Sequence, residues 1–128
     1  MVNRKVVKGY QDLIVWQKSK DLAKQIYRTT SKFPSSETYG LTSQFRRAVI
    51  SISANLAEGY GRKSRPEFAQ FVTIATGSAT ELECLIILAE ELGFIKPVEA
   101  EHLKKSIVEI LRMLQKLRQT LRTKKADV

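Results

Sequence analysis

At 128 residues, 43% of them apolar, the chain has the length and composition of a single folded domain and not of a disordered segment. No continuous apolar run approaches the roughly 20 residues of a membrane span, and the N-terminal MVNRKVVKGYQ lacks the apolar core and small-residue cleavage site of a secretory signal. The single cysteine, Cys84, permits no internal disulfide and fits a reducing, cytoplasmic setting, while the net charge of +9 asks for an anionic partner.

Residues 1–11 read as a short arm carrying Arg4, Lys5 and Lys8. Asp12 is placed to N-cap a first helix that reaches about Lys32, with Leu13, Trp16, Ala23, Ile26 and Tyr27 as its apolar positions. Phe33-Pro34 ends that helix, because proline disfavours helical geometry in the residue before it, and PSSETYG follows as a connector of turn formers.

The second helix is predicted over about Leu41–Glu58, with Gly59 as a left-handed C-terminal cap. Phe45, Val49, Ile52 and Leu56 make one apolar stripe, and Ile50, Ala54 and Ala57 make another. Between them runs a polar line at helical spacing: Gln44, Arg47, Ser51, Asn55 and Glu58. A helix apolar on two sides is expected to be buried on two sides, so the polar line must find partners in a seam between helices or in a subunit contact. The loop YGRKSR then sets Gly59 and Gly61 beside Arg62, Lys63 and Arg65. It matches neither a P-loop nor a dinucleotide fingerprint, and taken alone it reads as a solvated turn, with a phosphate contact as the alternative.

Ser64, with Glu67 three residues on and Pro66 in the first turn, is a strong start signal for a third helix that runs to Leu92 and stops at Gly93. Its expected core positions are Phe68, Phe71, Ile74, Ala75, Leu82, Leu85, Ile86 and Ala89. Cys84, beside Leu82, Leu85 and Ile86, is expected as a buried small hydrophobe and not a reactive thiol. Gly77-Ser78 falls mid-helix, where glycine costs about 1 kcal/mol against alanine; that cost predicts a close helix crossing at Gly77, with Glu81 one turn further along its face. Pro97 opens a fourth helix whose Leu103, Ile107, Ile110, Leu114, Leu117 and Leu121 repeat at 4-3-4-3-4 spacing, with residues after about Arg122 expected to fray. Four helices with short connections predict one all-α domain over 1–128, an antiparallel up-down-up-down four-helix bundle.

Charge is unevenly placed. Residues 104–125 hold eight Lys or Arg, Arg118, Arg122, Lys124 and Lys125 among them, against Glu109 alone, whereas residues 67–91 hold five acids and no Lys or Arg. Acidic and basic helices attracting each other within the bundle would account for the pattern but not for the surplus. Catalytic constellations are thin. Glu99-Ala-Glu-His102 supplies one Glu-x-x-His, while di-iron bundles need two with further glutamates, and the chain has one histidine. Pro97 stands where an Arg-x4-His pattern of HEPN-type ribonucleases would need its arginine. Glu58 and Glu81 could be drawn as an acid/base pair but have no nucleophile or metal beside them, so a structural role is expected. No catalytic residue, metal or cofactor is expected, and the Leu/Ile seam of the basic fourth helix reads as bundle core and not as a membrane-surface face.

DLIVW at 12–16, FP at 33–34, YGLTSQFRRA at 39–48, SISANLAEG at 51–59, EFAQF at 67–71 and ATGSATELE at 75–83 resemble the four helix bundle protein family encoded within 23S rRNA intervening sequences. Relatives of that family include the accessory variability protein of diversity-generating retroelements. The resemblance implies an antiparallel four-helix bundle assembled as a ring-like homopentamer, with no established enzymatic activity. In the retroelement relative it implies a basic ring that binds reverse transcriptase and nucleic acid.

Sequence and resemblance together predict a non-enzymatic, cytoplasmic homo-oligomer that binds RNA or DNA, in a ribonucleoprotein accessory role. Arg62, Lys63, Arg65, Arg118, Arg122, Lys124 and Lys125 are the candidate contacts. Arg47, Ser51, Asn55, Glu58, Gly59, Gly77, Ser78 and Glu81 are the candidate structural and assembly residues, Asn55 being expected buried and, with Glu58 and Glu81, fixing register. The rival reading is a protein-protein adaptor whose charge serves solubility.

Overall fold

The clean repeat of the fourth helix largely folds as its pattern dictates: in the computed structural model, which describes residues 8–123, Leu103, Ile107, Ile110 and Leu114 are buried along one face of α4 (Pro97–Thr123), and Leu117 and Leu121 continue it only partly buried. Lys124 and Lys125, and the arm residues Arg4 and Lys5, lie outside the described residues. The other helices are α1 (Ile14–Thr30), α2 (Leu41–Tyr60) and α3 (Arg65–Glu91), with single 3-10 turns at Tyr10–Asp12 and Ser35–Glu37. Each helix packs against its neighbours in sequence and α1 closes on α4, while no close approach joins the diagonals α1–α3 and α2–α4. The result is the expected antiparallel up-down-up-down bundle.

All four helices turn a buried stripe to the centre, each fully buried Leu or Ile contributing about 1.5–3 kcal/mol of hydrophobic stabilisation. In α1 the stripe is Val15, Ser19, Leu22, Ile26 and Thr29, two of them polar. Ser19 is tolerated there because its hydroxyl donates to the Val15 carbonyl at 2.8 Å, and Thr29 because its own donates to Glu99 of α4 at 2.6 Å. In α3 the stripe is Val72, Ala75, Ala79, Leu82, Ile86 and Ala89, alanines interspersed with larger aliphatic side chains against α2 and α4. Phe68 and Phe71 are only partly buried, and Ile74 is 51% exposed, contrary to the expectation that all three face the core. Phe33 meets Phe45 and Phe94 at ring-centroid separations of 5.3 and 5.6 Å and closes the end of the bundle that holds the α1–α2 and α3–α4 connections.

The helix ends are partly as predicted. Ser64 accepts the Glu67 N–H, and Gly93 sits at φ +84°, so that Phe94 N–H reaches the Ala89 carbonyl and Gly93 N–H that of Glu90, a Schellman closure. Asp12, by contrast, does not cap α1. It belongs to the preceding 3-10 turn and accepts the Lys8 N–H at 2.9 Å, leaving Leu13 at the N-cap with no side-chain oxygen to offer. Gly59 is not a left-handed cap either: α2 runs through it to Tyr60, and it is buried against α3.

Two more expectations are corrected. Cys84 is exposed, because the helical turn that buries Leu82, Leu85 and Ile86 carries residue 84 to the opposite face. The second apolar stripe of α2 is not covered by the chain, since a helix at the corner of a square bundle has two neighbours: Ile50 and Ala54 are exposed. By length and composition α3 is also apolar enough to cross a membrane, although no unbroken apolar run marks it; here it packs between α2 and α4.

Candidate nucleic-acid interface

The up-down-up-down order puts the C-terminal ends of α2 and α4 and the N-terminal end of α3 together. Arg62, Lys63, Arg65, Arg118 and Arg122 therefore share one end of the bundle, although the loop and α4 are far apart in sequence. Their roles there differ. Arg62 is held down, donating to Glu58 at 2.8 Å and lying over the Phe71 ring at 4.8 Å. Arg65 reaches across to α4 and donates to the Thr120 carbonyl at 2.7 Å, with Leu121 O at 3.5 Å, satisfying carbonyls that the last turn of a helix leaves open. Lys63 and Arg122 are exposed and Arg118 half-exposed, with no acidic partner among the described residues.

Arg65, Arg118 and Arg122 line a groove of about 1010 Å³ between the start of α3 and the end of α4, together with Pro66, Ile74 and Leu121. Among the described residues no acidic side chain lines it. Arg118 and Arg122, four residues apart, share one face of α4, but their meeting with Arg65 depends on the α3–α4 crossing, which sequence spacing does not carry. The groove's apolar members were missed because Ile74 was assigned to the core.

Internal pairing leaves the charge surplus in place. Among the described residues the ion pairs are Lys18–Glu109 at 3.4 Å, Arg47–Glu81 at 3.6 Å, Arg62–Glu58 at 2.8 Å and Lys104–Glu90 at 2.9 Å. Only the last joins α3 to α4; there the Glu90 carboxylate, bonded to the Lys104 ammonium, holds it above the ordinary lysine value. Of the tyrosines that could stack on a base, Tyr10 packs edge-on to Trp16 and Tyr60 to Phe68, while Tyr39, 97% exposed, lies in the α1–α2 connection at the other end.

The assembly residues line up along the α2–α3 seam in antiparallel register. Arg47 meets Glu81, Ser51 Oγ lies 2.7 Å from Ser78 Oγ, and Asn55 Nδ2 donates to the Ser51 carbonyl at 2.8 Å and to its hydroxyl at 3.0 Å. Asn55 is half-buried at the rim of this seam and not in the core. Glu58 lies about three helical turns along α2 from Arg47 and is bonded to Arg62, so it forms no pair with Glu81. Gly59 is a point of close approach: a Cβ there would stand 2.6 Å from Phe71 Cβ and 2.9 Å from Phe68 Cδ1. Gly77, expected to be such a point, has nothing within 4 Å of where its Cβ would be. Among the described residues no group of three or more potential metal ligands gathers, and His102 is exposed near the start of α4.

A protein of unknown function from Bacteroides thetaiotaomicron VPI-5482, described as belonging to the S23 ribosomal protein family, has a solved structure similar to this one: TM-score 0.75 at 25% identity, covering 84% of this chain and 100% of that one. No curated protein matches the chain. The family model of the 23S rRNA-intervening sequence proteins matches residues 11–116. With that match over most of its length, and the four-helix bundle that carries it, the chain belongs to the 23S rRNA-intervening sequence protein family.

Proposed function

We propose that this protein is a non-enzymatic, cytoplasmic, oligomeric bundle that binds the phosphate backbone of RNA or DNA with its basic end, as an accessory component of a ribonucleoprotein and without a membrane role. The supporting observation is the gathering of Lys63, Arg118 and Arg122, none with an acidic partner among the described residues, at the end where Arg62 and Arg65 also lie. Backbone contacts of this kind release counterions, so they bind with little regard to sequence and weaken with salt. A closed homo-oligomer, the pentamer that the resemblance implies, would repeat the basic end around one rim and multiply its field.

The bare apolar face of α3 favours a second reading, in which the protein is an adaptor for another protein and its charge serves solubility. Anisotropy titrations with labelled RNA and DNA separate the two. Affinity should fall about ten-fold or more between roughly 50 and 200 mM salt. Replacing Arg118, Arg122, Lys124 and Lys125 with Gln should weaken binding and flatten that slope while helicity is unchanged. A folded oligomer that binds neither nucleic acid at about 50 mM salt leaves the adaptor reading in front.

A further inference from the structure

Resting on the nucleic-acid reading above, we infer that the groove between the start of α3 and the end of α4 takes an unpaired, single-stranded segment and discriminates against duplex. Arg118 and Arg122 stand one helical turn apart, about 6 Å along α4, and offer two guanidinium groups from the same face. The C-terminal end of a helix ordinarily repels a phosphate. Here Arg65 donates to the carbonyls of Thr120 and Leu121, offsetting that negative end just where an anion would approach Arg122.

The rest of the lining decides between the two forms of the polymer. Pro66, Ile74 and Leu121 are apolar, and Ile74 is half-exposed. A duplex keeps its bases stacked inside and presents charged backbone, so it could reach the arginines but would set phosphates against these carbons. A single strand can turn a base outwards, bury its face on the carbons or on a guanidinium plane, and keep its phosphates on Arg118 and Arg122. The volume, about 1010 Å³, is at the top of the roughly 300–1,000 Å³ range of small-ligand sites, which suits one or two nucleotides and not a double helix. With Tyr10 and Tyr60 packed on other rings, no aromatic platform serves the groove, so the preference is modest and tolerant of sequence.

The test is anisotropy with a labelled oligonucleotide of about 12 nucleotides, as RNA and as DNA, beside the duplexes of the same sequence, all at about 100 mM salt. The full-length protein should bind the single strands about ten-fold more tightly than the duplexes. Ile74→Ser and, separately, Leu121→Ser should weaken single-strand binding and so narrow that gap to about three-fold or less, in variants whose helicity and oligomer mass match the parent. Arg118→Gln with Arg122→Gln should weaken both forms. Equal affinity for duplex and single strand, or a preference that survives both serine variants, overturns the inference and leaves backbone binding standing. Failure of the parent protein to bind either form overturns the nucleic-acid reading itself.

Discussion

Gly59 and Gly77 sit in adjacent, antiparallel helices and do opposite things. Gly59 lies where α2 presses against Phe68 and Phe71, and no other residue fits without moving α3. Gly77 lies on the outer face of α3, with open space where a side chain would be. Around Gly59 the bundle explains its own sequence. Around Gly77 it does not: a helix-weakening residue stands by Cys84, Ile87 and Leu88, all exposed, while Ile74 lines the groove beside α4. α3 therefore has an inner face completed by this chain and an outer face that this chain leaves uncovered. That outer face carries no Lys or Arg, while the exposed α1–α2 side sets Tyr27 and Ile50 among Lys20, Lys24 and Arg28. Two copies meeting through these unlike faces would match charge and cover apolar surface on both.

The largest effect should come from breaking the unfinished face. Leu88→Lys places a charge on a surface that a second copy is proposed to cover, where burying an unpaired charge is prohibitive. Size exclusion with light scattering at micromolar concentration should show the parent as a closed oligomer of about five chains and the variant as a monomer of unchanged helicity. A parent that is already a monomer would sink the idea, and the contrast between the two glycines would then need another cause.

Next in size is Gly59→Ala. Overpacking of this kind costs about 1–3 kcal/mol, and a Cβ at 2.6 Å from another Cβ places this case in the upper half of that range. Thermal unfolding followed by circular dichroism should show a midpoint lowered by roughly 5–10 °C. An unchanged midpoint would mean that α2 and α3 do not touch so closely there.

Much of this contrast could be read in the sequence, though not its sign. The α4 repeat, the Ser64 start and the Gly93 stop were legible because each is a local pattern with one structural solution. Register in α1 was not, because Ser19 and Thr29 are buried while bonded to a nearby carbonyl and to a carboxylate in another helix, and polarity counts them as surface. Both glycines were misread for a related reason: a glycine near a helix end and a glycine in a helix middle look like a cap and a crossing until the neighbouring helix is placed. The groove was half legible, its arginines from charge clustering and its carbons not at all, since Ile74 on an amphipathic pattern looks like core.

The smallest effect is the most informative about the bare face. In an exposed helix interior Gly→Ala stabilises by about 1 kcal/mol, because alanine restricts the unfolded chain and fits helical geometry without cost. Gly77 meets both conditions within the single chain, being exposed and having nothing within 4 Å of the new methyl group. Denaturant unfolding of Gly77→Ala at a protein concentration low enough to dissociate the proposed oligomer should therefore show that gain. At high concentration a closely packed second copy would meet the methyl group, and the gain should vanish or change sign while the oligomer loosens. A gain of the same size at both concentrations would leave Gly77 facing water in the assembled protein and move the subunit contact elsewhere on the bundle.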